Sequence, residues 1–254
     1  MSVLDAVLIL LAGMGAGAIN AVVGSGSLIT FPTLVALGYP PLLANVSNNV
    51  GLVPGSLSAV YGYRRELRGQ EARLRRLVPA SLVGAATGST LLLVLPSDVF
   101  DAVVVVLIIV ALTLVVTGPR ISKWVTRRRG EGHAGHATVT LPLVALVAGA
   151  GVYGGYFGAA QGIILTATLG VFLDDHLQRL NAAKNVLAFT VNAVAAVVFI
   201  ASTSVDWKVV ACIAIGSTIG ALLGSRYGRR LPPQVLRGVI VTVGLVALVK
   251  LLFL

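Results

Sequence analysis

The chain has 254 residues, of which 57% are hydrophobic and 11% charged, whereas an ordinary soluble domain carries roughly 25% charged residues. This composition excludes a water-soluble enzyme of this size. The formal net charge of +10 does not indicate a nucleic-acid partner, because the basic residues lie in short segments between apolar runs, as in cytoplasmic loops. The sequence therefore predicts an all-α, polytopic protein of the inner cell membrane, with the lipid bilayer as a partner and no enzymatic activity.

Ten apolar segments follow one another along the chain. The second and the seventh have only about ten residues, and at ~1.5 Å rise per residue such a helix covers roughly half of a ~30 Å hydrocarbon core. Each of these two follows a break rich in small residues, which is typical of discontinuous helices or re-entrant hairpins. The segments are residues 6–23, 28–37, 42–63, 77–97, 99–117, 139–158, 163–173, 185–205, 207–225 and 235–254.

An internal repeat relates the two breaks. An offset of 136 residues places Asn45 on Asn181 and Asn49 on Asn185, and the order of break, asparagine pair, glycine pair and Leu-Pro corner recurs. We therefore predict a duplication. Its parts are a first membrane repeat (residues 1–118), a basic cytoplasmic linker (119–138) and a second membrane repeat (139–254).

The basic residues predict how the repeats are oriented. If residues 139–173 enter and leave the membrane on one side, 17 of the 19 Lys and Arg residues lie in the cytoplasm, whereas a single crossing leaves 13 there. The positive-inside rule favours the hairpin. The repeats are then inverted copies, each with a broken or re-entrant helix hairpin followed by about three transmembrane helices. Whether the first break is a hairpin or a single broken crossing stays open, because residues 1–5 carry no Lys or Arg.

The two breaks form the first candidate site. Irregular backbone within hydrocarbon is tolerated only where protein or water receives its polar groups, and a restarting helix offers free N–H groups to an anion. The alternative is that the small residues only permit close helix packing, the role expected of other glycines such as Gly84 and Gly216. The helix-break residues are Gly24, Gly26, Gly158 and Gly162, and the candidate substrate ligands are Ser25, Gly26, Ser27, Gln161 and Gly162.

Two asparagine clusters form the second candidate site. Residues four apart share one helix face, and amides offer hydrogen-bond donors without net charge. The alternative is interhelical hydrogen bonding or helix capping. A lysine in the second cluster would make the centre electropositive, unless its stem snorkels to the interface. The candidate ligands are Asn45, Asn48, Asn49, Asn181, Lys184 and Asn185.

Other polar groups give weaker signals. His133 and His136 lie in a glycine-rich stretch and indicate a solvated loop rather than a metal site. The Asp-Asp-His stretch at residues 174–176 fits either a proton relay or a hydrated helix end, and Cys212 is expected to pack within an apolar helix. The sequence has no Walker loop and no metal-ligand quartet, so no cofactor and no metal is expected.

Several stretches together resemble a known family. They are Gly-Ser-Gly-Ser-Leu-Ile-Thr-Phe-Pro at residues 24–32, Leu-Gly-Tyr-Pro-Pro at 37–41, the polar helix start at 45–49, Tyr-Gly-Tyr-Arg-Arg at 61–65 and Gly-Gly-Tyr-Phe-Gly at 154–158. In these the sequence resembles the TauE/SafE family of sulfite and organosulfonate exporters, also called the four-toluene-sulfonate uptake permease family.

The resemblance implies a secondary transporter that exports a small sulfur-containing anion, such as sulfite or an organosulfonate, by alternating access around a midplane site. Lys184 and two helix N-termini would attract the anion. Asn48, Asn49 and Asn185 would orient it. The alternatives are an importer of sulfate, thiosulfate or a carboxylated anion, and a non-transporting membrane scaffold subunit. Proton coupling and a homodimeric assembly stay open.

Overall fold

The computed structural model describes residues 1–130 and 139–227, together with a few positions between 238 and 248, and no strand occurs among these residues. The tenth apolar segment, at 235–254, lies mostly outside the described residues, as do His133 and His136. The described helices are α1 (Val3–Val22), α2 (Ser27–Ala36), α3 (Pro41–Gly62), α4 (Glu71–Val94), α5 (Ser97–Gly130), α6 (Leu141–Tyr156), α7 (Gln161–Phe172), α8 (Leu177–Ser202) and α9 (Trp207–Tyr227).

Several helices begin at residues that either accept hydrogen bonds from the free N–H groups of the first turn or, as prolines, have no N–H group there. Ser2 and Asp5 form a reciprocal capping box at the start of α1, with hydrogen bonds of 3.1 and 2.7 Å. Helices α3 and α6 each carry a proline in the first turn, where its missing N–H costs nothing. These residues therefore favour the starts of α1, α3 and α6 at the observed positions.

Five of the described helices have the length and apolar composition to cross a membrane, namely α1, α4, the Val103–Arg120 part of α5, α8 and α9. Their large apolar side chains point outwards, as at Val83, which is 62% exposed, and Val197, which is 68% exposed. Helix α3 is as long, but Asn45, Ser47, Asn48 and Asn49 within it are polar and buried. The predicted all-helical, multi-pass membrane protein is thus confirmed.

Small residues let the helices pack closely. A Cβ on Gly17 of α1 would overlap the backbone of Ser217 on α9, and a Cβ on Gly88 of α4 would overlap Val152 on α6. Gly84 and Gly216 likewise lie against backbone of α6 and α1. In these two glycine-rich contacts, α1–α9 and α4–α6, the expected close packing of small residues is confirmed.

Two helices extend well beyond the apolar segments that mark them in the sequence. Helix α5 does not end at residue 117 but continues to Gly130, into the stretch assigned to the linker at 119–138. Helix α8 begins at Leu177 rather than at residue 185. Hydropathy marks only the apolar part of a helix, and polar turns extend it where other protein groups or water receive their side chains.

Candidate functional site at two helix breaks

Both predicted breaks are present. Helix α1 ends at Val22 and α2 begins at Ser27, while α6 ends at Tyr156 and α7 begins at Gln161. The backbone turns through left-handed conformations in each break, at Gly24 with φ 83° and at Gly158 with φ 77°. Ala160 has φ 60°, a conformation that costs a residue with a Cβ roughly 1–2 kcal/mol. The glycines are thus needed for the chain to reverse here.

The second helix of each pair folds back along the first. A side chain on Gly15 of α1 would meet Ile29 on α2, and one on Gly26 would overlap Ala16, so positions further along α2 lie beside positions earlier in α1. In the second half, α7 contacts α6, and Leu143 near the start of α6 belongs to the same apolar cluster as Leu169 near the end of α7. Each break is therefore the tip of a helical hairpin.

The two breaks contact each other directly. The Gly162 N–H donates a hydrogen bond of 2.9 Å to the carbonyl oxygen of Gly24. A Cβ on either glycine would overlap the backbone of the other. Folding thus brings together the two irregular segments that the sequence places in different halves of the chain.

Four buried side chains at or near the breaks have polar atoms without a hydrogen-bond partner among the described residues. They are the Ser25 hydroxyl, the Gln161 Nε2, the Asn49 Oδ1 and the Tyr156 hydroxyl, and Ser25 and Gln161 are only 1% and 3% exposed. Leaving a buried donor or acceptor unpaired costs about 1–3 kcal/mol. These groups are therefore available to a ligand. Ser27, at the start of α2, is partly buried.

Most of the predicted asparagine ligands donate hydrogen bonds to buried carbonyl groups at the ends of the broken helices. The Asn45 Nδ2 donates to the Tyr156 carbonyl at the end of α6, at 3.1 Å. In α8, Asn181 and Asn185 both donate to the Ala21 carbonyl near the end of α1, at 3.1 and 3.2 Å. These contacts are the interhelical hydrogen bonds that the sequence left open as the alternative to ligand binding.

Lys184 lies in the interior and does not reach the surface. Its side chain is 0% exposed, and its Nζ donates a hydrogen bond of 2.9 Å to the Asn20 carbonyl at the end of α1. The Asn20 side chain in turn accepts a bond of 3.3 Å from the Gly26 N–H. The Lys184 ammonium thus lies at the first break, next to the carbonyl end of α1.

Sequence reasoning missed two residues of this region, Asn20 and Thr30. The Thr30 hydroxyl donates to the Asn48 Oδ1, which ties α2 to α3. Asn20 is the one amide in α1, where all residues after Asp5 are otherwise apolar or glycine, and a polar residue at that depth is a signal that could have found it. Thr30 gave no such signal, because threonine is common in apolar helices.

An ion-pair cluster lies at the start of α8, away from the breaks. Asp175 accepts hydrogen bonds from Arg73 at 2.9 Å and from Arg179 at 2.8 Å. Burial alone would raise the pKa of Asp175, but the hydrogen bonds from Arg73 and Arg179 hold this pKa below its ordinary value. Because Arg73 precedes and Arg179 follows the basic linker, the cluster joins the two halves of the chain. We call Arg73, Asp175 and Arg179 the ionic clamp.

Metal and thiol chemistry finds little support in the part of the chain that the structure describes. There, no three His, Cys, Asp or Glu side chains approach closely enough to hold a metal ion. Cys212 is a free, partly buried thiol in α9 and packs beside the main apolar cluster.

Helices long enough to cross a bilayer surround two broken hairpins whose tips meet among buried polar groups, which is the arrangement found in secondary membrane transporters. A model of the TauE/SafE sulfite exporter family matches residues 9–251. The chain therefore belongs to the TauE/SafE family and is a membrane transporter, not an enzyme.

Curated relatives carry compatible names. The chain is 29% identical to the "Probable membrane transporter protein YfcA" of Escherichia coli strain K12, over 94% of this chain and 87% of the relative. It is 30% identical to the "Probable membrane transporter protein ORF9" of a Sinorhizobium species, over 93% and 88%. A "Probable membrane transporter protein" of Haemophilus influenzae is 24% identical, over 95% and 92%. No solved structure matches the chain.

Proposed function

We propose that this transporter is a secondary carrier that exports a small sulfur-containing anion, such as sulfite or an organosulfonate. One observation carries the proposal: the two helix breaks meet at Gly24 and Gly162, with the unpartnered groups of Ser25 and Gln161 buried beside them. The export direction follows the name of the family. The alternative is uptake of sulfate, thiosulfate or a carboxylated anion by the same site, and the flux experiment below distinguishes the two functions by their substrates.

The chemistry of the breaks suits an oxyanion. Helices α2 and α7 begin at the breaks, and the positive ends of their helix dipoles favour negative charge there. The Ser25 hydroxyl and the Gln161 amide can donate to oxygens without adding charge. Substrate binding by Asn48, Asn49, Asn181, Asn185 and Asn45 belongs to this proposal as well, with the present hydrogen bonds rearranging during the cycle.

Inverted repeats give this site its position between two halves. Helix α1 packs mainly on α9, and α6 packs mainly on α4; α3 and α8 then contact α9 and α4, respectively. Helices α1, α3 and α4 of the first half correspond to α6, α8 and α9 of the second half, and exchanging each helix with its counterpart leaves this pattern of contacts unchanged. Asn192 donates to the Ser56 hydroxyl at 2.9 Å, and these two residues are themselves 136 apart. Both observations support a pseudo-two-fold axis through the α3–α8 contact.

Alternating access needs one end of the molecule to be closed while the other is open. The ionic clamp holds the two halves together at the start of α8. An open cleft of about 480 Å³ lies at the other end of α8, lined by Leu43, Asp206 and Trp207 among others. Rocking around the breaks would require the clamp to separate while this cleft closes.

Flux measured in proteoliposomes tests the proposal. Purified protein is reconstituted and offered labelled sulfite, an organosulfonate, sulfate, thiosulfate and a dicarboxylate, with protein-free liposomes as the baseline. Faster flux of sulfite or the organosulfonate than of the other anions supports the proposed substrate class. Preference for sulfate, thiosulfate or the dicarboxylate favours the second outcome, and the absence of any flux contradicts both.

Two variants locate the site. Replacing Ser25→Ala and Gln161→Met removes the unpartnered donors with little change in volume, and we expect at least ~10-fold weaker anion flux because each lost hydrogen bond to a charged group contributes about 1.5–3 kcal/mol. Ser58→Ala is the matched control, since the Ser58 hydroxyl is exposed and donates to the Pro54 carbonyl of its own helix. Equal flux by the Ser25 and Ser58 variants would remove Ser25 from the site.

A further inference from the structure

We propose that the site carries close to one unit of positive charge, supplied by Lys184, and therefore selects singly charged oxyanions over doubly charged ones. This inference rests on the proposed function and narrows its substrate class to monoanions such as organosulfonates or hydrogen sulfite.

The helix ends at the breaks nearly cancel one another. Each break brings the carbonyl end of one helix, α1 or α6, next to the N–H end of the next, α2 or α7. A helix N-terminus carries roughly +0.5 of a unit charge and a C-terminus roughly −0.5. Two of each therefore sum to about zero, and the helix ends orient an anion without setting the net charge of the site.

Among the described residues of α1–α3 and α6–α8, Lys184 is the one charged side chain that lies at the breaks. Helices α2, α3, α6 and α7 contain no Asp, Glu, Lys, Arg or His. The other cation of α8, Arg179, lies in its first turn and is paired with Asp175. In α1 the sole charged residue is Asp5, at the opposite end of the helix from the break. The helices that form the breaks thus bring no charged side chain to them, and the neighbouring α8 brings the ammonium of Lys184.

The Lys184 ammonium also has N–H groups that make no hydrogen bond to the described residues. Lysine has three N–H donors, and among the described residues Lys184 makes one hydrogen bond, to the Asn20 carbonyl. A fully buried cation without a counter-ion is costly. An anion at the break would neutralise the charge of Lys184 and remove this cost. A second negative charge on that anion would have no partner in the same low-dielectric region.

The test compares two tetrahedral oxyanions of similar size and different charge. Methanesulfonate has one negative charge at neutral pH and sulfate has two. Each is supplied as a competitor of the transported organosulfonate in proteoliposomes that contain the wild-type protein. We expect methanesulfonate to inhibit at concentrations at least 10-fold lower than sulfate. Equal inhibition, or stronger inhibition by sulfate, overturns the proposal while leaving anion transport itself intact.

Lys184 variants provide the second measurement. Lys184→Arg keeps the charge and should keep the preference for methanesulfonate, whereas Lys184→Gln should reduce organosulfonate flux at least 10-fold and abolish the preference. Unchanged flux and preference in Lys184→Gln overturn the proposal. Because the comparison of the two anions needs only the wild-type protein, it remains decisive even if either variant folds poorly. If the wild-type protein moves no anion at all, the proposed function fails together with this inference.

Discussion

The Gly162 N–H donates a hydrogen bond of 2.9 Å to the Gly24 carbonyl. This bond joins the tips of two helical hairpins from different halves of the chain. It satisfies one of the N–H groups that the start of α7 leaves free and one of the carbonyls that the first break leaves free. Any motion of one half against the other must therefore slide or break this contact.

Substitution of either glycine at this contact should abolish transport. In Gly24→Ala and Gly162→Ala the new Cβ would overlap the backbone of the other glycine, and at Gly24 the left-handed backbone adds roughly 1–2 kcal/mol of strain. We expect a lower melting temperature in detergent and loss of anion flux. Gly149→Ala is the control, because a Cβ there meets no atom within 4 Å. Normal melting and flux in both break variants would contradict the direct contact.

The asparagines that bind helix ends should contribute unequally to stability. Asn45→Ala leaves the Tyr156 carbonyl without that amide, at a cost of about 1–3 kcal/mol. Asn181→Ala should cost less, because Asn185 still donates to the Ala21 carbonyl. The Asn181→Ala, Asn185→Ala double variant should then lose more than the sum of its single variants. Thermal unfolding of the purified proteins measures these differences, and strict additivity would argue against a shared acceptor.

The ionic clamp should make stability depend on acidic pH. Hydrogen bonds from Arg73 and Arg179 outweigh burial and hold the pKa of Asp175 below the ordinary value of 3.8. A carboxyl group with a lowered pKa stabilises the fold at pH values above its ordinary pKa, and this stabilisation disappears as the pH falls through the lowered value. We therefore expect Asp175→Asn to melt at a lower temperature than the wild-type protein at pH 7.

The same variant supplies its own control for the titration. Below pH 3.8 the wild-type protein should lose the part of its stability that comes from Asp175, while Asp175→Asn has no such carboxyl to titrate. The two melting curves should therefore converge as the pH falls. A constant difference between them across this range would show that the clamp does not act through the carboxylate charge.

The inverted arrangement predicts which loops face each side of the membrane. In a Cys212→Ala background, a cysteine replacing Tyr39 between α2 and α3 should react with an impermeant reagent from outside. A cysteine replacing His176 between α7 and α8 should react only from inside. The positions are equivalent loops of the two halves, so labelling of both from the same face would contradict inverted repeats.

Local sequence determined where the helices are interrupted and how long their apolar parts are. The short α2 and α7 and the breaks before them were predictable, because glycine adopts left-handed backbone that other residues avoid and because apolar length alone decides what can cross a bilayer. The bounds of α5 and α8 were not, since their polar turns carry no hydropathy signal. The membrane class followed from composition, which folding does not alter.

Tertiary structure decided which polar groups meet. The sequence predicted that Asn45, Asn181 and Lys184 lie at the centre, but it did not assign them to the carbonyl ends of α6 and α1. Those partners are more than a hundred residues away along the chain, and hydropathy and spacing hold no information on such pairs. Only the packing of the two halves fixes which helix end each donor reaches, and that packing buries the Ser25 hydroxyl and the Gln161 Nε2 without a partner among the described residues.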